Sequence, residues 1–126
     1  MIPEHLRYTD QHEWVTPLEE SPVRVGITHY AQDALGDIVF VTLPEVGTEV
    51  RAGESFGEVE STKSVSELYA PVSGRVSARN SELSDHPELI NSDPYGAGWL
   101  IEIEPSNPDE ASRLLDAAAY ARLTEQ

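Results

Sequence analysis

The chain contains no cysteine and a single lysine, Lys63. Without cysteine, disulfides, thiolate chemistry and cysteine–zinc sites are excluded. Positive charge is scarce. Eight Lys and Arg residues stand against 23 Asp and Glu, for a formal net charge of -15. That balance argues against nucleic acid, whose phosphates demand a basic surface, and equally against an anionic membrane surface. It suits partners with basic docking faces. No apolar run approaches membrane-spanning length. His5, His12, His29 and His86 are scattered without metal-ligand spacing, so no metal site is expected. A Gly-x-Ser-x-Gly elbow and a phosphate-binding glycine loop are both missing, and Gly96-Ala97-Gly98 reads as a tight turn. The N-terminus, Met1-Ile2-Pro3-Glu4-His5, has neither a basic n-region nor an apolar h-region. The cytoplasm is the expected compartment.

The 126 residues, 39% hydrophobic and 25% charged, suggest one globular domain over residues 1–126. Tyr8 to Val15 reads as a first strand. Val23, Val25 and Ile27 alternate with Arg24 and Gly26, a half-buried strand. Thr28 is placed to cap a short helix through Leu35 that Gly36 stops. Ile38 to Leu43 is apolar at most positions and reads as a buried strand. Two Pro-to-Gly turns, Pro44–Gly47 and Pro71–Gly74, each lead into a strand. Ser81 to Ser92 reads as mixed, with a helical turn near Pro87. Trp99, Ile101 and Ile103 alternate as a last strand. Asn107, Pro108, Asp109 and Glu110 open a C-terminal helix over about 108–125, with Leu114, Leu115, Ala118 and Leu123 as its apolar stripe. Trp14 and Trp99 read as core, and His12 and His29 as structural or surface residues.

The lone lysine lies between two strands, Ser55 to Glu60 and Val65 to Tyr69. With Thr62 and Lys63 at the tip, Glu60 faces Val65, Glu58 faces Glu67 and Gly57 faces Leu68. Tight two-residue turns favour Asn-Gly or Asp-Gly, so Thr-Lys is placed against local preference. Residues that break a local rule point to function. The Glu58–Glu67 pair sets like charges opposite each other, which a cation arriving nearby would relieve. Arginine serves for charge elsewhere in the chain, but only a lysine amine is readily acylated.

The order of motifs resembles the glycine cleavage system H-protein family. They are His12-Glu13-Trp14-Val15, Val25-Gly26-Ile27-Thr28 with Ala31-Gln32, Leu35-Gly36-Asp37-Ile38-Val39-Phe40-Val41, Leu43-Pro44-Glu45-Val46-Gly47, Val59-Glu60-Ser61-Thr62-Lys63, Tyr69-Ala70-Pro71-Val72-Ser73-Gly74, and Asn91-Ser92-Asp93-Pro94-Tyr95-Gly96 before Gly98-Trp99-Leu100. The match runs from Tyr8 into the C-terminal helix.

That resemblance implies a mostly β, flattened barrel-sandwich of the lipoyl/biotinyl carrier type, with short helices and a C-terminal helix. The hairpin of about 55–71 would carry the arm. It implies a non-enzymatic, monomeric carrier with lipoate in amide linkage to Lys63. Its partners would be glycine decarboxylase (P protein), an aminomethyltransferase (T protein), dihydrolipoamide dehydrogenase (L protein) and a lipoyl ligase or transferase. The family's cleft for the loaded arm maps onto Gln11, Glu13 and Glu67. Gln11 stands where serine is common and Glu67 where aspartate is common. Thr62, Ser64 and Val65 also replace smaller or more apolar residues. The rival readings are a carrier serving a 2-oxo acid dehydrogenase, an H-like protein that relays lipoate, and a biotin carrier. Thr62 and Ser64 oppose the last, because biotin carriers bracket their lysine with methionines. A small acidic hydrolase using Glu58 and Glu60 is the rival of another class.

Overall fold

The computed structural model describes residues 2–19 and 21–124, with Pro108 described by its backbone alone. Two antiparallel sheets organise the fold. The larger contains β1 (Arg7–Tyr8), β2 (Glu13–Val15), β3 (Val23–Ile27), β9 (Ile101–Pro105), β8 (Gly74–Arg79) and β5 (Glu49–Val50), in that spatial order. The smaller contains β4 (Ile38–Thr42), β6 (Ser55–Ser61) and β7 (Val65–Tyr69), with β6 in the middle. Between the sheets lies a core drawn from both, with Val25, Ile101 and Ile103 from one and Phe56, Val59 and Leu68 from the other. The result is the expected mostly β sandwich with short helices.

Alternation explains which residues enter that core. On β3, Val23 and Val25 are buried while Arg24 between them is exposed. Arg24 pairs outside with Glu102 at 2.9 Å and stacks on the half-buried Trp99. Gly26 is also buried, because Trp14 covers it. A Cβ there would stand 2.5 Å from the indole ring. The two Pro-to-Gly turns lead into β5 and β8, and those strands pair with each other.

Helix α1 (His29–Leu35) begins as its sequence implies: the Thr28 hydroxyl accepts from the Ala31 amide. It ends at Gly36, with φ 84° and ψ -158°. Only glycine adopts that region without strain.

Four sequence expectations change. Tyr8 to Val15 is not one strand. His12 takes φ 70° and the chain folds back, so β1 and β2 form a tight hairpin with Tyr8 opposite Trp14. The strand expected to be buried, β4, is buried on one side only. Phe40 is 59% and Val39 47% exposed, because a bulge between Ile38 and Phe40 breaks the alternation and leaves both side chains facing solvent. Trp99 lies outside β9, which begins at Ile101. The C-terminal helix is two pieces. A 3-10 segment, Pro108–Arg113, ends where Leu114 turns extended. Leu115 then exchanges two 2.8 Å backbone hydrogen bonds with Tyr8, which prevents helical continuation. Helix α3 (Ala117–Thr124) follows, started by Asp116, whose carboxylate accepts from the Ala119 amide. The break shifts the helical phase. Tyr120 becomes the buried residue, while Ala118 and Leu123 face solvent. Residues 125 and 126 lie outside the described residues. Helix α2 (Leu89–Ser92) is the short turn expected near Pro87.

Replacing Gly36 with alanine forces a side chain into that glycine-only geometry and should cost about 1–3 kcal/mol. Urea unfolding of Gly36→Ala checks this.

Candidate functional site

The hairpin register is the one the sequence implied. Glu60 pairs with Val65, Glu58 with Glu67 and Gly57 with Leu68. Thr62 and Lys63 form the tip. Ser61 compensates for their poor turn preference. Its amide donates to the Ser64 carbonyl at 2.8 Å. Its buried hydroxyl accepts from the amides of Lys63 and Ser64, each at 3.1 Å. A serine hydroxyl used this way substitutes for backbone turn bonds. The Thr62 amide donates to the Asp37 carbonyl at 3.1 Å, tying the tip to the α1–β4 turn.

Lys63 itself is exposed and makes no ion pair among the described residues. Its side chain passes over Gly36, where a Cβ would stand 3.1 Å from Cε and 3.7 Å from Nζ. The bare glycine backbone therefore leaves the lysine stem its path.

Directly paired residues share a sheet face. One outer row reads Phe40, Glu60, Val65, and the next reads Thr42, Glu58, Glu67. All six are exposed, the apolar Phe40 and Val65 among them at 59% and 57%. The tip thus adjoins a sheet face that carries two exposed apolar side chains and three carboxylates. Nothing in this arrangement sets Glu58 and Glu60 up as an acid–base pair. They point outward from a strand, as a solvated face does.

A cleft of about 310 Å³ opens at the other end of β7. Gln11 and Glu13 line it from the β1–β2 hairpin, Tyr69 and Ala70 from the end of β7, and Arg113 and Leu114 from the C-terminal segment. Glu13 is 1% exposed. Its carboxylate accepts from the Thr9 hydroxyl at 2.6 Å and from the Tyr69 amide at 3.1 Å. Burial raises the Glu13 carboxyl, those two bonds pull it partway back and Asp10 adds a smaller rise, which leaves it at about 7. A desolvated carboxyl poised near neutrality is ready to ionise when a cation arrives.

Glu67 does not line the cleft. It shares the outer face of β7 with Val65 and Tyr69, midway between the tip and the cleft. The stretch from Val65 to Tyr69 covers about 13 Å at strand rise. Sequence reasoning missed Thr9, Tyr69, Arg113 and Leu114. Thr9 and Tyr69 act through a hydroxyl and an amide that no motif singles out. Arg113 and Leu114 arrive only because the C-terminal helix breaks.

Three comparisons bear on this geometry. The family model described as glycine cleavage H-protein matches residues 6–126. Glycine cleavage system H proteins from Mycobacterium bovis and Mycobacterium tuberculosis are 60% identical to the chain, over 98% of each partner. A crystal structure of a glycine cleavage system H protein from Mycobacterium marinum is 49% identical. It superposes with a TM-score of 0.92 over 99% of this chain and all of that one.

The chain belongs to the glycine cleavage H-protein family. Members of this family are carrier subunits of the glycine cleavage system and not catalysts, and that is the role of this chain. The isolated hydrolase reading falls with this membership. Among the described residues no helix is long and apolar enough to cross a membrane, and no cluster of side chains is set to hold a metal.

Glu13 has a measurable signature. Its folded pKa lies above the ordinary carboxyl value of 4.5, so the folded chain binds its proton more tightly than the unfolded chain. The ionised side chain therefore destabilises the fold as pH rises from about 4.5 to about 7, and the penalty is level above. Denaturant unfolding at pH 5 and pH 8 should show Glu13→Gln gaining on the wild type by an amount on the order of 3 kcal/mol at the higher pH.

Proposed function

We propose that Lys63 carries lipoate in an amide link, that Gln11 and Glu13 receive the loaded arm in the cleft, and that Glu67 lies on the arm's way there. The observation that carries this reading is the position of the only lysine. It stands free at a hydroxyl-clamped hairpin tip, on the strand that leads to a cleft with a buried carboxyl. The residues fit the group. The amine is exposed and unpaired among the described residues. The cleft offers apolar surface from Ala70, Pro71, Leu114 and Leu115 beside the Glu13 carboxyl.

Lipoate would supply, when bound, a disulfide that opens as one sulfur accepts the aminomethyl carbon with its electron pair and the other sulfur takes up a proton. The chain's residues do the rest. Lys63 Nζ gives up its charge in forming the amide, which leaves an even more acidic carrier. The hairpin fixes one end of the arm and turns delivery into an intramolecular event, with effective concentrations of roughly millimolar. Glu67 and Glu13 mark the way back to the cleft. A cationic amine entering it draws Glu13 into its ionised form and gains a charge-assisted hydrogen bond.

The partners on this reading are glycine decarboxylase, the aminomethyltransferase, dihydrolipoamide dehydrogenase and the enzyme that attaches lipoate. A net charge of -15 favours basic docking faces on each of them. Any enzyme working at Lys63 Nζ also covers Phe40, Glu60 and Val65, which adjoin the tip. The carrier is a cytoplasmic monomer on the same reading.

Lys63→Arg keeps the charge and removes the acylatable amine. It should fold as the wild type does and show no glycine cleavage when reconstituted with the three enzymes. Full activity would end the carrier reading. Glu67→Gln should accept lipoate normally and shorten the lifetime of the aminomethyl-loaded form about 2- to 5-fold, as befits loss of a partly screened charge contact. Timed ammonia release checks it, and an unchanged rate removes Glu67 from the path.

A further inference from the structure

His12 is the only non-glycine residue with positive φ among the described residues, at 70°. L-residues avoid this conformation, and it persists where neighbours enforce it. Backbone bonds brace it on both sides. The His12 amide donates to the Thr9 carbonyl at 3.2 Å, and the Thr28 amide donates to the His12 carbonyl at 3.0 Å. The imidazole is held separately. Its Nδ1 lies 2.7 Å from the Tyr120 hydroxyl, which lies 2.7 Å from the Thr28 hydroxyl. Tyr120 is fully buried on α3, stacked against Tyr8 with ring centroids 4.7 Å apart.

One arrangement satisfies every group in this chain of bonds. Burial lowers the His12 pKa against the opposing pull of Asp10, which favours the neutral ring. Nδ1 accepts from Tyr120, whose oxygen accepts from Thr28. The Thr28 oxygen in turn accepts from the Ala31 amide at the start of α1. None of His12, Thr28 or Tyr120 lines the cleft. The next residue after the strained turn is Glu13, whose carboxylate does.

We propose that Tyr120 is a positioning residue whose hydroxyl, by holding His12 in its left-handed turn, aims the Glu13 carboxylate into the cleft. The consequence for the loaded arm rests on the reading of Glu13 as its charge partner. Removal of the hydroxyl keeps the ring stack on Tyr8 but strips Nδ1 and the Thr28 oxygen of their shared partner. The His12 turn then relaxes, the peptide before Glu13 rotates, and the carboxylate moves toward water.

The test follows the Glu13 side-chain carbon by NMR through a pH titration of the unmodified protein. The wild type should titrate at about 7. Tyr120→Phe should shift the midpoint down by about one unit or more, a tenfold loss in proton affinity. His12→Gly should leave it near the wild-type value, because glycine takes a positive φ without a latch. The double variant, His12→Gly with Tyr120→Phe, should recover the wild-type midpoint, which a general loss of packing would not allow. A folded Tyr120→Phe protein with an unchanged midpoint overturns the proposal, as does a double variant that stays low. Should Tyr120→Phe fail to fold, His12→Ala decides instead: it keeps the strain at φ 70° but offers Tyr120 no ring nitrogen, so its midpoint should fall as well, and an unchanged midpoint overturns the proposal. Loaded-form lifetimes separate the two layers. If Glu13→Gln leaves the lifetime unchanged, Glu13 is not the arm's partner, while the titration still decides the role of Tyr120.

Discussion

The hydroxyl of Ser61 is the constraint on which the Lys63 site depends. A lysine held out as an attachment point needs a rigid base and a free end, and these demands conflict in a tight turn. Asn-Gly would make the turn easily but offers no amine. Thr-Lys offers the amine but fits the turn poorly. Ser61 resolves the conflict by taking the tip's two unpaired amides onto its own side chain. The backbone is therefore satisfied right up to Lys63, while the side chain leaves over Gly36 with nothing in its way. Order in the strand and freedom in the arm come from adjacent residues.

The same division of labour recurs at the cleft. Glu13 is a costly residue to bury, and its carboxyl rises to about 7 for that reason. The fold tolerates it because Thr9 and Tyr69 supply donors from two separate elements. Those donors stop well short of forcing ionisation, so the group is left responsive to an arriving cation. Between tip and cleft, the outer face of the small sheet carries carboxylates and two apolar side chains, with no layer over them. A surface of this composition suits a protein that must dock repeatedly with basic partners and release them.

Much of this was legible in the sequence, and the failures have a common cause. The lysine hairpin was readable to the residue pair, because a strand's period of two and the tip position fix the register. The α1 cap and stop were readable because Thr28 and Gly36 act locally. Elements decided by tertiary contact were not. The apolar run in β4 does not reveal that one of its faces meets water. Nor does helical patterning over 108–125 reveal that Leu115 pairs with Tyr8 and breaks the helix. The hairpin between Tyr8 and Val15 turns on a positive φ at a histidine, and no local preference announces it. The site divides in the same way. Lys63 and Glu13 stand in motifs, whereas Tyr69 and Leu114 join the cleft through the fold alone.

Intact mass of the native protein, followed by peptide mapping across Lys63, tests the central claim most directly. The account predicts a lipoyl increment located on Lys63. An unmodified Lys63, even after incubation with a lipoate-attaching enzyme and its substrates, would contradict it.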